Sequence, residues 1–338
     1  MLSFGVTVLP DPPWQRLVEL LQLAEDNGFE YGWTYDSHVL WQEPYPLLTL
    51  AATNTSTLKL GLNVTNPGTR EPTVTASAFA TLQDVTGGRM IMGIGRGDSA
   101  RQTIGLKPVP VAEFERTLPV IKDLMNGRAV DWNGTEIELK WAKGRAQIPL
   151  YVAGYGPKVL AAAGRHGDGV IIQLADPEII EWIVGQVCAA AEAAGRDPAE
   201  IKFIACAPAH VGGDMAECCE LVRWFPAMVS NHVFDVLSKH PAESLPRGLT
   251  EYVENWSREQ YDYSEHSRVG AKHGEFVSDE ICERFCVLGT PEQHIEKLRR
   301  LDAAGIDQWN IYLMTSGQER TLEVYGREII PQLVGAAA

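Results

Sequence analysis

One cadence recurs along this chain: an amphipathic helical stretch, a glycine, and then a short apolar run. Leu23–Tyr35 (L-A-E-D-N-G-F-E-Y-G-W-T-Y), Ala161–Gln173 (A-A-A-G-R-H-G-D-G-V-I-I-Q) and Leu301–Tyr312 (L-D-A-A-G-I-D-Q-W-N-I-Y) all carry it. Glycine after a helix takes the left-handed conformation that ends it, and a short continuous apolar run reads as a strand buried on both faces. The strand candidates are Leu2–Val8, Tyr31–Tyr35, Leu58–Asn63, Met90–Ile94, Leu150–Ala153, Gly169–Gln173, Lys202–Ala207 and Gln308–Tyr312. Eight parallel strands alternating with helices predict an α/β fold of the closed (β/α)8 TIM-barrel type.

The 338 residues exceed the roughly 250 of a bare barrel, so the surplus is predicted to lie in two insertions within a single domain spanning 1–338. After the fourth strand, Ala129–Trp141 alternates around Asn133-Gly134, a hairpin signal. After the seventh, residues 224–283 are rich in aromatics, histidines and charges. That segment follows a strand's carboxyl end, which leaves two places for it: over the barrel mouth or in an oligomer contact.

Ligands of such barrels are met at the carboxyl ends of the strands, so the residues there are the candidates for chemistry. Strand two ends in Asp36-Ser37-His38, with Trp41 close behind. A histidine at the mouth suits proton transfer; the alternative is that Asp36 caps the next turn while His38 packs on Trp41. Strand three ends in Asn63-Val64-Thr65 and runs into a Pro/Gly-rich loop, either a ligand-facing loop or an ordinary surface one. Strand four ends in Gly93-Ile94-Gly95-Arg96-Gly97-Asp98. This resembles a dinucleotide fingerprint only superficially: it falls on the fourth strand, the third glycine is misplaced and no acid follows at the ribose-binding distance. Gly95 and Gly97 instead let a flat ligand approach the backbone, with Asp98 projecting into the pocket. Strand five leads into Gly154-Tyr155-Gly156-Pro157-Lys158. With Pro157 in the first helical turn, free N–H groups and Lys158 would suit a phosphate; a tight turn that needs glycine for its geometry is the alternative. Near the end of the chain, Thr290-Pro291-Glu292 reads as an N-capped helix start.

A formal charge of -15 argues against nucleic-acid or anionic-membrane partners, which need clustered Lys and Arg. No apolar run approaches membrane-spanning length. The six cysteines form no C-x-x-C pair, and the opening Met1-Leu2-Ser3-Phe4-Gly5 carries no export signal, so a cytoplasmic protein is expected. No Walker loop, G-x-S-x-G elbow or H-E-x-x-H is present. The histidines are scattered rather than set at metal-ligand spacing, so no metal is expected.

In their order and spacing, F-G-V, W-T-Y-D-S-H, N-V-T-N-P, G-G-R-M-I-M-G-I-G-R-G-D-S-A, V-A-G-Y-G-P-K and L-G-T-P-E-Q resemble the bacterial luciferase-like superfamily, in particular its F420-dependent oxidoreductases. The resemblance covers about Leu2 to Leu333. It implies a barrel that binds coenzyme F420 at its carboxyl face, with FMN in a two-component monooxygenase as the alternative and a non-catalytic flavin-binding barrel as a second. It places Asp36 and His38 near the deazaflavin and a non-prolyl cis peptide at Asn63-Val64 behind the ring, beside Thr65, Gly95, Gly97 and Gln173. The cofactor phosphate falls to Gly154, Tyr155, Gly156, Pro157 and Lys158. His38 would be the acid/base, with Asp98 and Trp41 shaping the pocket for a small-molecule substrate, and a homodimer is expected.

Three departures from the family pattern stand out. Ser37 separates Asp36 from His38, which are adjacent in the relatives. Asp98 is one methylene shorter than the glutamate of the sugar-phosphate dehydrogenase branch. Where that branch carries a Thr and a Lys after strand six, this chain has Asp176 and Glu178, acids predicted to repel a substrate phosphate. Substrate choice is expected in the second insertion, at Trp224, Phe225, His232, Phe234, Tyr252, Trp256, Tyr261 and Tyr263.

Overall fold

Helix α1 (Trp14–Asp26) buries Leu17, Val18, Leu20, Leu21 and Ala24 along one face, and Gly28, at φ 82°, turns the chain back into the sheet. The same device, a helix stopped by glycine before a buried strand, builds the rest of the molecule. The computed structural model describes residues 1–237 and 261–334. Strands β1 (Ser3–Val8), β2 (Tyr31–Thr34), β3 (Lys59–Thr65) and β4 (Met90–Ile94) alternate with α1, α2 (Pro44–Asn54) and α3 (Pro72–Val85). Helices α4 (Ser99–Gln102) and α5 (Val111–Met125) follow, then the hairpin β5 (Val130–Trp132) and β6 (Thr135–Ile137), with Asn133 and Gly134 both at positive φ. The second half runs β7 (Leu150–Ala153), α6 (Pro157–His166), β8 (Gly169–Ile172), α7 (Pro177–Ala193), β9 (Lys202–Val211), α8 (Met215–Val222) and α9 (Trp224–Leu237).

Strand β10 (Val287–Gly289) precedes the helix Pro291–Ala303, and β11 (Gln308–Tyr312) completes the ring. Pairing runs β1-β2-β3-β4-β7-β8-β9-β11 and back to β1, all parallel, so the eight expected strands close a TIM barrel. Strand β9 outruns its expected end at Ala207, and its extension, Ala209–Val211, pairs with β10. Three residues are too few to show a strand period, which is why β10 left no mark in the sequence. Thr290 caps the following helix as expected, in a capping box with Gln293.

At the closed end of the barrel, the Arg89 guanidinium ties three elements together. It donates to the carbonyls of Ala52, Thr55, Leu58 and Thr86 and to the Thr55 hydroxyl, at 2.7 to 3.1 Å. On the outer side, His294 is fully buried between Tyr325, whose hydroxyl lies 2.9 Å from Nδ1, and the His210 carbonyl, 3.2 Å from Nε2. A carbonyl can only accept, so Nε2 carries the hydrogen and Nδ1 accepts from the tyrosine.

Burial pushes the His294 pKa down to about 4 from 6.5, against the opposing pull of the His210 carbonyl. The unfolded chain therefore takes up this proton before the folded one does. The stability tied to His294 is complete above pH 6.5, is lost as pH falls toward 4 and then levels off. The loss is about 3 kcal/mol over that window. Denaturant melts at neutral and acid pH should show a smaller acid loss for His294→Asn than for the wild type; equal losses would mean that His294 is not the group responsible.

Candidate functional site

A cavity of about 910 Å³ opens at the carboxyl ends of the strands. Its wall from β2 is Asp36, a buried carboxylate whose Oδ2 accepts from Thr65 Oγ1 at 2.6 Å and from Arg70 Nη1 at 2.7 Å. Arg70 also pairs with Glu43 and lies 4.5 Å from the centre of the Tyr45 ring. The other oxygen, Asp36 Oδ1, is buried with no partner among the described residues. Trp41 lines the cavity and stacks on Tyr35 at 5.3 Å.

His38, expected as the acid/base, is exposed and does not line the cavity. Beyond β2 the chain makes a turn in which the N–H groups of Leu40 and Trp41 both bond the Ser37 carbonyl. The turn sets Ser37 inward, where its hydroxyl meets that of Ser99 at 2.7 Å, and His38 outward. The extra residue between Asp36 and His38 thus exchanges which side chain faces the pocket.

The Asn63–Val64 peptide is cis, and the pairing of β3 with β4 shifts between Leu62 and Thr65. Asn63 donates to Thr7 Oγ1 at 3.3 Å and to Cys206 Sγ at 3.4 Å, while its own Oδ1 is buried without a partner among the described residues. Burial pushes the Cys206 thiol up to about 12, so it stays protonated. Val64, Gly95 and Gly97 line the cavity beside this layer. A Cβ on Gly95 would sit 3.0 Å from Val64 Cγ2, and Gly97 has φ 80° against Asn66, so side chains at either position would crowd the floor.

Across the cavity, Gly154, Tyr155, Gly156 and Lys158 line the loop into α6. Gly156 caps that helix and Pro157 opens it without lining the cavity. The Tyr155 hydroxyl donates to the Gln173 carbonyl at 2.9 Å, and Gln173 Nε2 donates to the Tyr312 hydroxyl at 2.9 Å. The structure thus brings together Asp36, Trp41, Asn63, Val64, Thr65, Gly95, Gly97, Asp98, Gly154, Tyr155, Gly156, Lys158 and Gln173.

The second insertion supplies the roof, with Met228, His232, His266 and Ser267 all lining the cavity. Asp98 is the junction between roof and barrel. Its Oδ2 lies 3.0 Å from His232 Nε2, and its Oδ1 accepts from Gln102 Nε2 at 2.6 Å and the Tyr263 hydroxyl at 3.0 Å. Burial alone would raise its pKa, but the bonds from His232 and Gln102, with the nearby His266, hold the carboxyl well below the usual range.

Two expectations about the substrate change. Trp224 and Phe225 are fully buried core residues, Phe225 packing edge-on against Tyr312, and neither lines the cavity. Tyr252 and Trp256 lie outside the described residues, as does the side chain of Phe234. Asp176 accepts from the Ile179 N–H as an N-cap and pairs with Arg284, which also holds Glu178 at 2.9 Å. Both acids are held by the same arginine and neither lines the cavity, so they give no ground for excluding a phosphate. His266 and Arg70 carried no sequence signal, because their partners are distant in the chain or lie across a turn, and Ser37 showed only as a change of spacing.

The luciferase-like monooxygenase family model matches residues 2–308, and the chain belongs to that family. It is 31% identical over 344 residues to the 5,10-methylenetetrahydromethanopterin reductase of Archaeoglobus fulgidus, covering 98% of this chain and 100% of that one. It is 32% identical over 260 residues to the F420-dependent hydroxymycolic acid dehydrogenase of Mycobacterium tuberculosis, covering 72% of this chain and 71% of the other. Among solved structures, the coenzyme F420 dependent tetrahydromethanopterin reductase from Methanopyrus kandleri superposes with a TM-score of 0.77 at 27% identity, covering 98% of this chain and 99% of that one. Among the described residues, no helix is long and apolar enough to cross a membrane, and no cluster of three metal-ligating side chains occurs.

Proposed function

We propose that this protein, an F420-dependent oxidoreductase, transfers a hydride between the deazaflavin and the one-carbon unit of a reduced pterin. The observation that carries the reading is the cavity floor. Val64, Gly95 and Gly97 leave a surface open to a planar ring, and two buried oxygens beside it, Asp36 Oδ1 and Asn63 Oδ1, have no partner among the described residues. Unpaired buried acceptors are costly, and a polar ring edge that donates to them removes that cost.

F420 fits this pair of acceptors, and when bound it supplies a two-electron hydride carrier. The chain's own residues do the rest. Asp36, fixed by Thr65 and Arg70, and Asn63, fixed by Thr7, orient the ring edge. The N–H groups at the start of α6, with Lys158, hold the phosphate. Trp41, Met228 and His266 line the cavity and take up space that water would otherwise fill. The full-length likeness to methylenetetrahydromethanopterin reductases, whose named substrate carries a carbon bridging two nitrogens, supports the substrate class.

The test is to mix the protein with reduced F420 and 5,10-methylenetetrahydromethanopterin and to follow the return of oxidised F420 by its absorbance. Multiple turnovers are expected. Reduction of F420 by a secondary alcohol, with none of the pterin consumed, would move the substrate class to alcohols.

A further inference from the structure

We infer that His232, presented by α9, is the catalytic residue that gives the substrate its proton, with Asp98 as the residue that positions it. The inference rests on the hydride-transfer reading above and adds the group that reading lacks, since the histidine following β2 points away from the cavity.

Three observations converge on His232. It lines the same cavity as Val64 and Gly95. Its ring is fixed on two sides, stacked on Tyr155 at 5.7 Å and 29° and bonded through Nε2 to Asp98 Oδ2 at 3.0 Å. Its other nitrogen, Nδ1, is buried with no partner among the described residues.

The state of Asp98 decides which nitrogen does what. Its oxygens take bonds from Gln102, Tyr263 and His232, and an ionised carboxylate can only accept. Nε2 therefore carries a hydrogen in both states of the ring, and Nδ1 is the atom that gains and loses a proton. This is the logic of an acid that locks the tautomer and the orientation of a catalytic imidazole. Asp98, ionised and accepting from Gln102, Tyr263 and His232, is an orienting group rather than a proton donor. The clamp also fastens the roof to the barrel, because Gln102 bonds the Tyr263 hydroxyl as well, at 2.6 Å.

A hydride adds to the bridging carbon, forming a C–H bond and bringing two electrons from the reduced cofactor, which is oxidised. The bond from that carbon to one of its two nitrogens breaks, and the electron pair left on the nitrogen takes the proton from Nδ1, directly or through one water. Solvent then returns a proton to the imidazole and takes up the one that the cofactor would release on oxidation, so the turnover consumes no net proton.

The experiment uses reduced F420 and 5,10-methylenetetrahydromethanopterin with the full chain. His232→Gln is expected to lower kcat by about 10²–10³ while F420 affinity, read by fluorescence titration, stays at the wild-type value. His232→Ala should regain activity on addition of imidazole, and Asp98→Asn should lower kcat with KM little changed. Variants that keep wild-type kcat, or a loss of kcat that follows lost F420 affinity and resists imidazole, would reduce His232 to a packing residue and leave the function reading intact. Wild-type protein that binds F420 but leaves the pterin unreduced would overturn the substrate reading and this role together.

Discussion

Gly95→Val is expected to weaken F420 binding by about 100-fold, close to 3 kcal/mol, in a protein that still folds. A Cβ at this position meets only one close neighbour, the Val64 methyl at 3.0 Å, with Ala153 atoms at 3.8 and 3.9 Å. A small shift of the Val64 side chain accommodates it, at about 1 kcal/mol of overpacking. The two methyls beyond Cβ then occupy the floor on which the ring would rest. Gly93, two residues earlier and inside β4, provides the contrast. A Cβ there would lie 2.3 Å from the Leu62 carbonyl oxygen, a backbone atom that cannot move aside, so Gly93→Val should fail to fold. The check is a fluorescence titration of the Gly95 variant with F420 beside its thermal melt. Wild-type affinity in a folded Gly95→Val protein would place the cofactor elsewhere.

Arg89→Ala is expected to cost about 4 kcal/mol of stability without touching the cavity. Its guanidinium serves four carbonyls and a hydroxyl at the ends of α2 and α3 and the entry to β3. Bonds from a charged donor contribute more than neutral ones, and removing the donor leaves acceptors unpaired at a half-buried seam. The seam lies at the end of the barrel away from the cavity, so F420 affinity of the folded fraction should be unchanged. Urea melts compared with the wild type measure the loss; a midpoint within experimental error of the wild type would mean that water replaces the arginine at no cost.

The barrel was legible because its punctuation is local. Gly28 ends α1 where the sequence requires it, Asn133-Gly134 makes the hairpin turn, and Thr290-Pro291 starts a helix with a capping box. Such signals depend on residues within a turn of one another, and a single chain displays them. The floor of the site was legible for the same reason, as residues ending consecutive strands must lie side by side.

The roof was not. His232 and Asp98 are 134 positions apart, and nothing local marks them as partners. Arg284, 108 positions from Asp176, turns an acid expected to repel ligands into half of an ion pair. The exchange of Ser37 for His38 at the cavity wall has a different origin. In a turn, one residue more or less reverses which side chain faces inward, and residue type alone does not reveal the direction.

The most direct measurement is a competition: F420 and FMN, each titrated against the wild-type protein, with fluorescence quenching as the readout and Gly95→Val as the control. Saturable quenching of F420 that FMN does not displace, and that the Gly95 substitution removes, is the expected result. Tight FMN binding with F420 fluorescence left unchanged would contradict the assignment of a deazaflavin to this cavity.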